Sequence, residues 1–334
     1  MAKDVEEKIM PVGGQAVIEG VMMRSPKRLA TAIRRASGKI EIKVDEYMSL
    51  TQRRKIFNIP IIRGAVTLIE VMILGIKTLQ WSADKAMEDV EEEDKKQGKK
   101  VKKKKKAGMT TAGAVFTVSL ALLIGIGMFF ILPLYLTTEI FSIEKEALLF
   151  NLVSGLIRII FFLLYVWAIS FMKDVKRLFQ YHGAEHKSIF AFEDKVFLSP
   201  QNVQNYSTFH PRCGTSFIVI VMLVSLVVFA FLDTLIISFT GSIDLITRLI
   251  THIPLIPLVG GISYEALKAS AKHADSGIVR FLILPGLGLQ RITTNQPDDD
   301  QVEVAITALK AALGEEYKSE LVSEDGAVQM KAVV

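Results

Sequence analysis

Three of the five histidines and the single cysteine of this 334-residue chain fall in two short stretches, Tyr181-His182-Gly183-Ala184-Glu185-His186-Lys187 and His210-Pro211-Arg212-Cys213. In a helix, His182 and His186 stand one turn apart on one face, as two imidazoles meeting one metal ion require. Glu185 completes the order H-x-x-E-H. In zinc peptidases that order supplies two ligands and a general base, because a metal-activated water needs a carboxylate to take its proton. The chemistry expected is hydrolysis at a divalent metal, zinc by ligand type, with His182 and His186 as ligands and Glu185 as the catalytic base. In such motifs the third ligand is a distant downstream glutamate, a role open to Glu265, with His210 and Cys213 as competitors that the residues alone do not rank. The plain alternative is an interfacial histidine pair and a cysteine buried as a small apolar residue.

Half of the residues are hydrophobic and 22% are charged, and the mean hydropathy is +0.36. Such a mixture requires segregation into apolar runs and charged connections, as in an integral membrane protein. One cysteine excludes an intramolecular disulfide and leaves a thiol free to ligate. The first residues, with Lys3, Glu6, Glu7 and Lys8, lack the apolar core of a signal peptide.

The apolar runs set the expected architecture. Segments 110–136, 147–172, 215–239 and 245–263 each read as a membrane-crossing helix, the last kinked by Pro254, Pro257 and the Gly260-Gly261 pair. The connection 137–146 carries three glutamates and one lysine and reads as external. Segment 173–214 carries six basic residues and reads as cytoplasmic. Both termini then lie in the cytoplasm, and His182, His186, His210, Cys213 and Glu265 share one membrane boundary. Segment 277–291 is too short to cross and reads as re-entrant or interfacial.

Around this bundle the polar parts are small. Residues 1–58 read as a β-rich cytoplasmic unit, with 12–24 a strand interrupted by glycines and a hairpin around Ala36-Ser37-Gly38. Neither nucleotide-loop glycine pattern is present. Segment 59–81, with Arg63, Glu70 and Lys77 on one face, reads as an interfacial or bundle-packed helix. Six acids in 88–94 and nine lysines from Lys95 to Lys106 read as a solvated linker whose basic half meets anionic lipid headgroups. With no interleaved aromatics, no nucleic-acid partner is expected. From Pro297 a C-terminal cytoplasmic helix begins, with Val302, Ile306, Leu309 and Leu313 on an apolar face that the β unit can cover. The tail from about 318 reads as frayed. Arg158 sits mid-span, where a charge needs a partner, and Asp233 is its possible counter-ion. His252 reads as structural. The fold class is thus an α-helical polytopic membrane protein with about four spans, a small N-terminal β-rich unit and a C-terminal helix.

The stretch from Gly13-Gly14-Gln15 to Met22-Met23-Arg24, together with Gly183-Ala184-Glu185-His186-Lys187, His210-Pro211-Arg212-Cys213-Gly214-Thr215-Ser216-Phe217 and Gly261-Ile262-Ser263-Tyr264-Glu265, resembles the bacterial YqhQ-like membrane proteins, a family built on a domain of unknown function. The resemblance spans roughly residues 11–313. It implies the label that members of that family often carry, predicted metal-dependent enzyme, and no particular reaction. Two functions follow as expectations: a metal-dependent hydrolase acting on a membrane-associated substrate at the cytoplasmic surface, or a non-enzymatic scaffold that binds a cytoplasmic protein through the β unit and the C-terminal helix. Four spans without a repeat do not match the usual transporter plan.

Overall fold

The computed structural model describes residues 11–97, 111–272 and 276–314. Most of the lysine run, His273 and the tail expected to fray lie outside the described residues. Four strands come first, β1 (Gly13–Val17), β2 (Gly20–Arg24), β3 (Arg28–Arg34) and β4 (Ile40–Glu46). Helices α1 (Leu50–Arg53), α2 (Ile62–Lys96), α3 (Thr111–Ile126), α4 (Leu132–Phe141), α5 (Ala147–Ile169) and α6 (Lys173–Glu193) follow. The chain continues through α7 (Pro200–Val203), α8 (Gly214–Thr240), α9 (Leu245–His252), α10 (Ile256–Lys272), α11 (Gly277–Thr293) and α12 (Asp299–Leu313).

The stretch expected as one interrupted strand is a hairpin, with Gly13 opposite Arg24 and Val17 opposite Gly20. Glu19 in its turn adopts φ +55°, a region disfavoured for a residue with a Cβ. Arg177 of α6 grips both of its carboxylate oxygens, which ties the turn to that helix. The second hairpin closes around Ala36-Ser37-Gly38 as expected, with Gly38 at φ +82°. Strand order is β1-β2-β3-β4, all antiparallel.

Both faces of the sheet are covered. Val21, Met23, Ala30 and Ala32 pack against Tyr181, Ala184 and Ile189 of α6 and against Val302, Ala305 and Leu309 of α12. On the other face, Val17, Met22, Leu29 and Ile33 meet Leu74 and Trp81 of α2. This two-sided burial accounts for the nearly continuous apolar character of β2 and β3. The C-terminal helix begins at a capping box in which Asp298 and Gln301 satisfy each other's backbone N–H groups, and the β unit covers its apolar face.

Helix α2 runs well past the expected end at 81. The acidic block, expected as solvated linker, forms its last turns. Arg35, beside the β3–β4 turn, donates to Asp89 at 2.9 Å and Glu88 at 3.2 Å and pairs with Glu41, so the first two acids of the block are held against the sheet as the helix continues. At its other end α2 crosses α10 closely, and a Cβ on Gly64 would come within 2.7 Å of the Tyr264 Cβ. Two of the charged residues expected on one face diverge in role. Arg63 binds Glu265, whereas Glu70 accepts from Ser49 Oγ at 2.7 Å and from the Leu50 N–H at 3.1 Å.

Among the described residues, four helices are long and apolar enough to cross a membrane: Phe116–Phe141, Ala147–Ile169, Gly214–Thr240 and Leu245–Ala269. The first contains a π-helical segment, Gly127–Ile131, and the fourth is broken at Ile253–Leu255, where the prolines were expected to kink it. Helix α11 packs along α8, and a Cβ on Gly286 would lie 2.6 Å from that of Ser216. Asp233 does not pair with Arg158. Arg248 reaches it at 2.9 Å and His252 at 2.7 Å from successive turns of α9, and Asn151 donates to it at 2.7 Å. The Arg248 guanidinium also lies 3.4 Å over the Phe150 ring, and His252 stacks on Phe229. His252 is structural in this sense, as expected. Replacing Arg248 by Leu leaves Asp233 with only His252 and Asn151 and is expected to destabilise the fold by about 3–5 kcal/mol. Asp233→Asn added to that variant should restore part of the loss, read as thermal midpoints in detergent.

Candidate functional site

Helix α6 carries the first motif, and its sequence dictates which face points where. Tyr181, Ala184 and Ile189 are buried towards the sheet and α12, which leaves His182 and His186 to face the turn that precedes α8. That turn is held by Gln290 of α11, whose amide accepts the His210 N–H at 2.7 Å and donates to the His210 carbonyl at 2.8 Å and to Ser216 Oγ at 2.9 Å. Cys213 is the N-cap of α8, and its sulfur accepts from the Thr215 N–H. Lys187, buried, donates to the carbonyls of Gln204 and Tyr206 at 2.8 and 2.6 Å and so fastens the incoming loop to α6. Burial lowers the pKa of that ammonium.

The result is a three-residue cluster. His182, His186 and Cys213 each offer a ligand atom, and the three atoms lie within 4.8 Å of one another. His182 Nε2 is 3.2 Å from Cys213 Sγ, and the two imidazole centroids are 4.4 Å apart. Both outer nitrogens are committed to backbone: His182 Nδ1 lies 2.8 Å from the Thr293 carbonyl and His186 Nδ1 lies 2.5 Å from that of Thr208. A carbonyl only accepts, so each Nδ1 carries the proton and each Nε2 turns a lone pair inward, the arrangement that ligating histidines use. Burial, the largest influence on His186, lowers its pKa and favours the neutral ring that ligation needs.

The remaining residues of the expected site stand elsewhere. The His210 ring centroid is 5.5 Å from that of His186, and the ring rests on Phe190 at 4.5 Å. Its Nδ1 accepts the Arg212 N–H at 3.2 Å, which places the proton of the neutral ring on Nε2, 3.9 Å from Glu193. His210 therefore turns its Nε2–H toward Glu193 and offers the cluster no lone pair. The structure does not bring Glu265 to the cluster. Arg63 holds its carboxylate through both oxygens, because the close α2–α10 crossing sets those two side chains side by side. Glu185 is buried and lies outside the ligand group, against Gly14 of β1, where a Cβ would come within 3.0 Å of its carboxyl carbon. Desolvation pushes its pKa up to about 7, against the opposing pull of His182 and the Gly14 N–H. Gly14 thus serves a close approach of backbone to a carboxyl group.

The residues missed by sequence reasoning are Gln290, Thr208 and Thr293. The last two act through carbonyls, which leave no trace in residue type. Gln290, the one side-chain amide of α11, was the visible signal.

Fold and site together define a mostly helical protein with four helices suited to a membrane, a small antiparallel sheet, and a histidine–cysteine cluster where the two meet. Residues 59–315 match a protein-family model described as "Protein of unknown function (DUF1385)". The chain is also 35% identical over 324 residues, 94% of its length and 96% of the relative's, to the "Uncharacterized protein YqhQ" of Bacillus subtilis (strain 168). The chain belongs to this YqhQ-like family. No solved structure matches it.

At Gly183, between the two histidines, a Cβ would overlap the Asn295 carbonyl oxygen. Gly183→Ala is expected to push the segment after α11 off α6 and to speed maleimide labelling of Cys213, the only thiol. Gly288→Ala, which meets open space, should leave the labelling rate unchanged.

Proposed function

We propose that this chain is a multi-pass protein of the bacterial inner membrane, with both termini in the cytoplasm, and that His182, His186 and Cys213 hold a divalent metal at its cytoplasmic surface. The carrying observation is the pair of Nδ1 contacts to backbone carbonyls, which turns two imidazole lone pairs towards one thiol. Two nitrogens and one sulfur suit zinc, and three protein ligands leave a position open, as in catalytic sites. The charge of the connections supports the orientation: acidic between the first two spans and basic around α6. The basic run 95–106 is then placed to meet anionic headgroups.

The activity we propose is hydrolysis of a bond in a membrane-associated peptide or lipid-like substrate. A bound zinc ion supplies Lewis acidity for that chemistry. The chain's own residues supply the rest. Glu185, one residue from a ligand and held by the Gly14 N–H, is the general base. The helices below supply the bilayer boundary that selects the substrate. The alternative is a scaffold that binds a cytoplasmic protein, and it would have to use surfaces other than the apolar face of α12, since the sheet covers that face.

Elemental analysis of the purified chain is expected to show stoichiometric zinc, lost in His182→Ala/His186→Ala and in Cys213→Ser. A wild-type protein prepared without chelators and free of metal would sink the proposal. Glu185→Gln is expected to keep the metal and to lose cellular function. Function that survives loss of both histidines would favour the scaffold.

A further inference from the structure

Two arginines of the helical bundle, Arg248 buried and Arg158 partly buried, are treated differently. Arg248 is neutralised by Asp233 at 2.9 Å, donates to the Glu144 carbonyl at 2.7 Å and rests on Phe150. Arg158, midway along α5, has no such company. Its Nη1 donates to Ser225 Oγ at 3.3 Å and its guanidinium lies 4.9 Å over the Phe130 ring. Among the described residues it forms no ion pair, and its Nε is shielded from solvent without a hydrogen-bond partner. Ser154, one turn earlier on the same helix and therefore on the same face, is 1% exposed, and its hydroxyl is also unpartnered.

We propose that Arg158 and Ser154 form an oxyanion site within the bundle that takes the phosphate or carboxylate head of an anionic amphiphile. A lone guanidinium in a hydrocarbon-spanning helix is costly, and such residues face a partner or a cavity. The missing partner must bring negative charge and accept from an N–H and an O–H a turn apart, which a phosphate or carboxylate group does. A neutral ligand would leave the charge uncompensated. Phe130 gives the site a particular wall, since it belongs to the π-helical segment Gly127–Ile131, an irregularity that recurs at functional positions in helices. The site is separate from the histidine–cysteine cluster and holds whether or not that cluster binds metal. The amphiphilic source rests on the bilayer reading of the four helices.

The test uses the full-length protein in detergent, with phosphatidic acid and oleate as probes, phosphatidylcholine as the neutral-headed control and inorganic phosphate as competitor, bound ligand being counted by native mass spectrometry. Saturable binding of the anionic amphiphiles is expected, weakened about tenfold in Arg158→Gln, as loss of a charge-assisted contact implies, and about threefold in Ser154→Ala. Displacement by inorganic phosphate at similar concentration would support the same oxyanion site and assign it to a soluble anion. Equal retention of phosphatidylcholine, or unchanged binding in both variants, would overturn the proposal. If Arg158→Gln fails to fold, Ser154→Ala carries the result, because it removes only an unpartnered hydroxyl.

Discussion

The bare backbone of Gly183 is the constraint on which the candidate site depends. It lets the chain leaving α11 lie directly on α6, where the Asn295 N–H donates to the Phe179 carbonyl at 2.9 Å. The same approach brings the Thr293 carbonyl to His182. Two residues later Pro297 and Asp298 launch α12 across the sheet. One missing methyl group therefore serves both the orientation of an imidazole and the closure of the core shared by β2, β3, α6 and α12. Packing at such a crossing tolerates no added volume without displacement of one partner.

That dependence makes the site strongly non-local. His182 takes its orientation from a residue 111 positions away and its neighbouring sulfur from one 31 positions away, while Glu185 leans on β1 near the start of the chain. Loop closure over such separations must be offset by burial before any of these contacts stabilises the fold. The burial comes from the sheet, covered on one face by α6 and α12 and on the other by α2.

Much of the architecture was legible because it rests on local properties. Four apolar runs announce four long helices, Ala36-Ser37-Gly38 announces a hairpin, and the i,i+4 spacing of His182 and His186 places them on one face. What failed was pairing at long range. Glu265 has the right residue type for a ligand, yet Arg63, 202 positions earlier, claims it across a glycine crossing that no pattern discloses. Asp233 was matched with the wrong arginine for the same reason, since both choices satisfy charge and only the α9 helix decides between them. The acidic block read as linker because an isolated run of acids repels itself, and the Arg35 that holds its first two acids lies in another element. Cys213 could be ranked above Glu265 only once the chain was folded.

Helix α2 is a single rod of 35 residues, about 52 Å at the usual rise. One end is clasped to α10 at Gly64, and further along Gly75 abuts Gln15, which donates to its carbonyl from β1 at 3.4 Å. The neighbour of Gln15 is Gly14, the backbone against which Glu185 rests. A stiff strut fixed at both places behaves as a lever: a tilt of α10 among the membrane-type helices is delivered to β1, and so to the carboxyl group beside the histidines, without any flexible joint to absorb it.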